Sequence, residues 1–206
     1  MKIYRCEQRS PEWYKAKDMK LTASNATAIM AAGKGLETLC MEILTKHYSS
    51  GQYEDFVNDP FTRHMQRGVE FEEKARKIYE FETGNNVETV GFIELDEYSG
   101  CSPDGLIGDY GLLEIKNLSD KHFMDLALTG KVDSNHRNQM QMQLYVTGRH
   151  WCDYFAFNPN FNPCYIKITF KPEHESFERL KHGLAMGKQI LKRKKEIFDQ
   201  QFKDVA

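Results

Sequence analysis

The sequence predicts an α/β or α+β fold in which a central mixed β-sheet is flanked by helices. Stretches with helical signals occupy the N-terminal part, the middle and the C-terminus. Short runs rich in β-branched or aromatic residues lie among them, at Val87–Leu95, Leu112–Lys116, Trp151–Phe157 and Cys164–Phe170. Their order is helices, strands, a helix pair, two strands and a final helix, which suits a mixed sheet.

Each element has a local reason. Ser10-Pro11-Glu12 starts the first helix: a capping hydroxyl, a proline for the first helical position, and an acid for the positive helix end. Thr22-Ala23-Ser24-Asn25 is a second capping-type start, leading into Ala26–Met30. Gly33 and Gly35 separate it from a third helix over Leu36–Tyr48. A long helix is expected from about Thr62 to Thr83, closed by Gly84. At about 100° per residue, Met65, Gly68, Val69, Ala75 and Tyr79 share an arc. Glu72 lies near the middle of that arc and Arg76 also falls on it, so Glu72 reads as an inward carboxylate or a partner of Arg76. Val87–Leu95 reads as one strand, followed by a turn at Ser99-Gly100. In Leu112-Leu113-Glu114-Ile115-Lys116, alternation puts Glu114 and Lys116 on one face and Leu113 and Ile115 on the other. His122–Leu128 and Ser134–Thr147 read as helices ended by Gly130 and Gly148. From Pro172 a C-terminal amphipathic helix runs to about residue 200.

The 206 residues suit one domain with a sizeable core. That domain has N-terminal helices at 10–50, a core at about 62–170 and the terminal helix at 172–200. No repeat, low-complexity tract or long linker divides it. No apolar run reaches the roughly 18–20 residues needed to span a bilayer. The start resembles no signal peptide, so a cytoplasmic protein without a membrane partner is expected. The five scattered cysteines show no Cys-x-x-Cys pair and read as reduced, mostly core thiols, not as a zinc or iron–sulfur site. A net charge of −2 neither invites nor excludes nucleic acid, because one basic cleft can coexist with acidic metal ligands.

The chemistry concentrates in Pro103-Asp104 followed by Glu114-Ile115-Lys116. Phosphodiester hydrolysis needs an attacking hydroxide, a neutralised phosphate and a stabilised leaving oxygen. Mg²⁺ held by hard oxygens supplies the last two. Asp104 and Glu114 are a suitable ligand pair, and the Ile115 carbonyl can add a third oxygen. Lys116 can hold or deprotonate the attacking water, its pKa lowered by a nearby cation. Glu114 and Lys116 stand in an otherwise apolar strand, where unpaired charges cost on the order of several kcal/mol unless compensated. The alternative is an edge strand with one polar face.

Several segments together resemble the lambda exonuclease, or YqaJ-type, family of viral recombination nucleases in the PD-(D/E)xK superfamily. They are Trp13 through Thr22-Ala23-Ser24, Gly68-Val69-Glu70-Phe71-Glu72, Ser102-Pro103-Asp104-Gly105, Leu113-Glu114-Ile115-Lys116 and Gln139-Met140-Gln141. The resemblance covers about residues 10–160. It implies a restriction-endonuclease-like core and a 5′→3′ exonuclease that degrades one strand of linear duplex DNA. Two Mg²⁺ ions, or Mn²⁺ in their place, would be held by Asp104, Glu114, Ile115 and Glu72. Lys116 would act at the attacking water, with Gln139 helping to position it. Glu70 and Glu73 are expected to face solvent. A pocket for the 5′-phosphate would comprise Lys17, Ser24 and Ser102, Ser24 being better placed still if it caps a helix.

Two departures from the family pattern stand out. Lys17 replaces an arginine, which weakens the pocket or shifts its charge to Lys15 or Lys20, since lysine lacks a bidentate fork. His136-Arg137-Asn138 stand where aromatic residues often precede the Gln. His136, Lys121, Lys131, Arg137 and Arg149 are further candidates for backbone contacts. The resemblance also implies a ring-shaped homotrimer, a single-strand annealing partner, and a phage or prophage origin in a bacterial host. Two rival functions remain: a DNA-repair endonuclease of the same superfamily, and a non-catalytic DNA-end-binding protein.

Overall fold

The computed structural model describes residues 1–49 and 61–202, with the backbone alone for 61–70. Met65, Gly68, Val69 and Glu70 therefore lie outside the described side chains. The N-terminal part contains β1 (Lys2–Tyr4), α1 (Pro11–Lys17), β2 (Leu21–Thr22), a single 3₁₀ turn (Ala23–Asn25), α2 (Ala26–Ala31) and α3 (Lys34–Tyr48). Next come α4 (Phe61–Thr83), β3 (Val87–Glu88), β4 (Phe92–Asp96), β5 (Ser99–Cys101), β6 (Gly105–Ile107) and β7 (Gly111–Asn117). The last elements are α5 (Asp120–Thr129), α6 (Ser134–Thr147), β8 (Trp151–Phe157), β9 (Tyr165–Phe170) and α7 (His174–Phe202).

The main sheet has the order β3-β6-β7-β8-β9. Only β7 and β8 pair in parallel there, and α5 and α6 lie in the chain between them. A smaller sheet, β1-β4-β5-β2, carries the N-terminal segments. The mixed α/β architecture expected from the sequence is the one observed.

β7 separates two apolar clusters. Leu112 joins the larger one, with Met140 and Leu144 of α6 and Leu180 and Leu191 of α7. Leu113 and Ile115 join the other, with Ala75 and Tyr79 of α4 and Phe155 and Phe157 of β8. The alternation read from the sequence thus directs Glu114 away from α4 and toward α6. Gly183 allows α7 to approach α2 closely: a Cβ there would lie 1.8 Å from the Ile29 carbonyl oxygen.

Val87–Leu95 is not one strand. β3 pairs with β6 in the main sheet, whereas β4 pairs with β1 and β5 in the smaller one. The break falls around Gly91, whose backbone passes so near Cys6 that a Cβ would lie 2.5 Å from its carbonyl oxygen. β-branched residues favour extended chain on both sides of that crossing, so composition alone does not show it. Ser99-Gly100 is likewise strand, not turn. The turn comes earlier because Asp96 Oδ1 accepts from Tyr98 N at 2.9 Å and from Ser99 Oγ at 2.8 Å. The five cysteines are free thiols, three of them buried. No described helix is long and apolar enough to cross a membrane.

Candidate active site

The site lies where β7, the segment before β6, α6 and the N-terminal turn meet. Asp104 is tied to β7 twice: its N donates to Leu113 O at 3.1 Å, and its Oδ2 accepts from Ile115 N at 2.7 Å. Glu114 is almost fully buried, yet none of its oxygens is left without a donor. Oε1 accepts from Gln139 Nε2 at 2.6 Å and from Lys116 Nζ, and Oε2 accepts from Gln143 Nε2 at 2.6 Å. Hydrogen bonds to a charged group are worth roughly 1.5–3 kcal/mol each, which explains how this carboxylate stays inside.

Gln143 is a residue that sequence reasoning missed. The expected motif paired Gln139 with Gln141. On a helix, however, the neighbour across one turn is four residues away. Gln141 points elsewhere, donating to Lys171 O at 2.9 Å and accepting from Glu173 N at 3.0 Å. Helical spacing from Gln139 was the available signal.

Glu72, on α4, lines the same cavity and pairs with Arg76 at 3.1 Å. Glu72 is thus partly buried, at the cavity and paired with Arg76. Glu73 is exposed and pairs with Lys77. Burial raises the Asp104 pKa well above its ordinary value, and Glu114 adds to the rise, with a smaller contribution from Glu72. Burial alone would lower the Lys116 ammonium, but Glu114 and Asp104 outweigh it and raise it. The two carboxylates thus hold the lysine charged.

The donor set fits Mg²⁺. Among the described residues no three His, Cys, Asp or Glu side chains form a ready-made metal cage. Mg²⁺ does not require one, since it commonly takes one or two carboxylates and keeps several waters. Asp104, Glu114 and the Ile115 carbonyl supply hard oxygens, and the mutual repulsion of the carboxylates is what a divalent cation would relieve.

The same cavity, about 310 Å³, extends to Trp13, Lys17, Ser24 and Ser102. The Trp13 indole donates from Nε1 to Ser102 Oγ at 2.8 Å and to Gly91 O at 3.1 Å. Lys17 Nζ lies over the Trp13 ring, 3.8 Å from its centroid. Burial lowers the Lys17 pKa to about 8, helped by Lys46 and Arg9. Ser24 caps no helix. It stands inside the 3₁₀ turn with its Oγ 3.1 Å from Thr22 Oγ1, and the N-cap of α2 is Asn25, which makes no side-chain cap bond. A larger cavity, about 640 Å³ beside Phe81 and Tyr165, contains none of these groups, so size does not mark the site.

The other candidates divide. Lys20 pairs with Glu94 at 3.2 Å, donates to the Glu97 carbonyl and does not line the cavity that holds Lys17. Lys15 is exposed and lines no part of the cavity. Arg137 pairs with Glu173 of the α7 start region, and Arg149 donates to the carbonyls of Gly108 and Gly111 at the far end of β7. His136 Nδ1 lies 3.1 Å from Tyr154 OH, and burial, then Lys116, lowers its pKa. Lys121 and Lys131 are exposed, Lys121 beside Asn117 and Ser119.

A five-stranded mixed sheet presenting an Asp, a Glu-x-Lys strand and a helix glutamate at one cleft is a PD-(D/E)xK core. The chain belongs to the YqaJ-like viral recombinase domain family, which matches residues 12–150. It is similar to the alkaline exonuclease LHK-Exo of Laribacter hongkongensis. Identity is 28%, the TM-score is 0.83, and the match covers 96% of this chain and 100% of that one. LHK-Exo in complex with dAMP gives a TM-score of 0.84 at the same identity and coverage. A phage-related exonuclease from Haemophilus somnus 129PT shares the fold at 13% identity and a TM-score of 0.58, covering 93% of this chain and 99% of that one. No curated protein sequence matches the chain.

Proposed function

We propose that this chain is a Mg²⁺-dependent exonuclease that degrades one strand of linear double-stranded DNA in the 5′→3′ direction. The 3′ single-stranded overhangs left behind would feed recombination by single-strand annealing. One observation carries the reading: the carboxylate–lysine cluster and the cation–hydroxyl pocket line a single cavity. A phosphate caught at Lys17, Ser24 and Ser102 lies in the same cleft as Asp104, Glu114 and Lys116. A terminal phosphate anchored beside the reacting groups favours cutting at chain ends. The similarity to LHK-Exo supports this, and that protein's dAMP complex holds a nucleoside monophosphate, the product class such a reaction releases.

Asp104, Glu114 and the Ile115 carbonyl would hold the metal, with Glu72 on the second-ion side. Bound Mg²⁺, or Mn²⁺ in its place, supplies charge neutralisation at the phosphate and a more acidic water. Lys116, beside Glu114, would hold or deprotonate the attacking water and Gln139 would help position it, while Gln139 and Gln143 fix the Glu114 carboxylate. The wider reading follows the family: one nuclease domain, a ring-shaped homotrimer, an annealing-protein partner, and action in the cytoplasm of a bacterial host.

The test is digestion of linear duplex labelled at either end, with Mg²⁺ and with EDTA, beside a closed circle. Release of 5′-end label first, with Mg²⁺ only and with the circle spared, is expected. Cutting of the circle would establish the endonuclease instead. Binding of ends without release of nucleotides would leave an end-binding protein.

A further inference from the structure

Arg9 belongs neither to the reacting cluster nor to the phosphate residues expected from the sequence. It occupies the turn that leads into α1. Ser10 N donates to Glu7 O at 3.2 Å and closes that turn. The Gln8 side chain pins it, donating to the carbonyls of Val90 at 3.2 Å and Pro103 at 3.0 Å. Pro103 stands between Ser102 and Asp104, so the turn is fastened to the segment that carries both.

The Arg9 backbone is left-handed, with φ 71°. Side chains rarely adopt this conformation, and glycine is its usual occupant at the third position of a turn. Ala32 and Met19 share a positive φ. Ala32 ends α2 as its C-cap, and Met19 packs against the core. Arg9 has neither reason. It is exposed, and among the described residues it makes no hydrogen bond or ion pair. Strain held for a side chain without a structural partner points to a partner outside the chain. That side chain lines the cavity containing Trp13, Lys17, Ser24 and Ser102. It also lines an adjoining cleft of about 510 Å³ along α4, so it stands where the two meet. Its charge reaches Lys17, where it is one cause, after burial and Lys46, of that lysine's lowered pKa.

We propose that Arg9 selects the 5′-phosphorylated DNA end, closing the pocket with the guanidinium that Lys17 does not provide. The proposal rests on the nuclease reading above. A terminal phosphate carries nearly two negative charges, roughly −1.5 to −2 at neutral pH, against one for an internal diester. Two cations that repel each other across an end pocket suit such a dianion. The guanidinium adds parallel N–H donors matched to phosphate oxygens, and the two serine hydroxyls complete the shell. A 5′-hydroxyl end leaves the repulsion in place.

Two measurements test this. In Mg²⁺, kcat/KM is compared on linear duplex with 5′-phosphate and with 5′-hydroxyl ends, for wild type, Arg9→Gln, Arg9→Lys and Arg9→Gly. In EDTA, fluorescence anisotropy compares binding of the same two duplexes, so the result does not depend on cleavage. The wild type should prefer the phosphorylated end in both. Arg9→Gln should reduce that preference at least tenfold, and Arg9→Lys should keep part of it. Arg9→Gly should lose the preference while raising Tm, because glycine suits this φ. Unchanged discrimination in Arg9→Gln and Arg9→Gly would overturn the proposal. So would a lowered Tm with equal loss at both ends, which marks a structural residue, or a wild type that binds both ends alike. Phosphate-selective binding with no nucleotide release would leave the proposal standing and remove the nuclease reading.

Discussion

The two ends of the cleft are built on opposite charge and by opposite means. At the reacting end, carboxylates crowd together until Asp104 is pushed well above its ordinary pKa, by burial first and then by Glu114. At the capture end, burial, Lys46 and Arg9 together lower Lys17 to about 8. Each half is loaded against itself, so each is prepared for a ligand of the opposite sign. They also differ in saturation. Glu114 has donors on both oxygens, whereas the other end offers hydroxyls, one stacked lysine and an arginine unpaired among the described residues. Under the proposed function, the saturated end fixes geometry for chemistry and the open end receives the phosphate.

The largest effect should come from breaking the reacting end. Lys116→Ala removes the only cation that contacts Glu114 among the described residues, and leaves the capture end intact. Nucleotide release from linear duplex should fall by about 10³-fold, the scale of losing one group that stabilises transition-state charge. Duplex binding measured in EDTA should persist. Equal loss of binding and digestion would mean that Lys116 merely holds the fold.

Next in size is the glutamine pair on α6. Gln143→Leu leaves Glu114 Oε2 without its donor inside the protein. It should lower activity about 10–100-fold, as loss of groups behind a ligand typically does. Gln141→Leu removes two hydrogen bonds of the same kind from a scaffold position. It should cost about 1–3 kcal/mol in denaturant unfolding while activity per folded molecule stays near wild type. Similar kinetics for the two variants would erase the distinction drawn between them.

This pair also shows what the sequence made legible. Strand alternation placed Glu114 and Lys116 together because period-two patterning is local, and Asp104 followed from its spacing. The main helices were readable from caps and glycines: Ser10, Gly84, Gly130 and Gly148 all end elements as their chemistry suggests. Gln143 was legible only through helical spacing from Gln139, because which face of α6 meets β7 is a tertiary fact. The break of Val87–Leu95 between two sheets and the seating of the Arg9 turn through Gln8 were hidden for the same reason. The Arg9 turn is fastened by contacts across 82 and 95 residues of chain, and Gln143 meets Glu114 across 29.

At the capture end, pH is the lever. The folded Lys17 pKa of about 8 lies below the ordinary 10.5. The native protein therefore loses this proton before the unfolded chain does. Burying the charged amine opposes folding below pH 8, and that opposition is relieved as pH rises from 8 toward 10.5. Phosphate capture runs the other way, because it needs the protonated amine. Preference for a 5′-phosphate over a 5′-hydroxyl should fall up to about tenfold per pH unit above 8, the limit for one linked proton. Lys17→Arg should flatten this decline through pH 9.5, since arginine stays charged. A wild-type preference that holds steady over the range would mean that Lys17 does not carry the anion.

The smallest expected effect concerns cations outside both halves. Arg149 is occupied by the carbonyls of Gly108 and Gly111, whereas Lys121 is exposed beside the strand end that carries Lys116. If Lys121 touches one DNA phosphate, Lys121→Ala should reduce the slope of log K against log[salt] by about 1. Arg149→Met should leave that slope unchanged and lower Tm instead, because it strips the turn before β7 of its donors. A changed slope for Arg149→Met would extend the DNA path to the far end of β7. No change for Lys121→Ala would confine that path to the cleft.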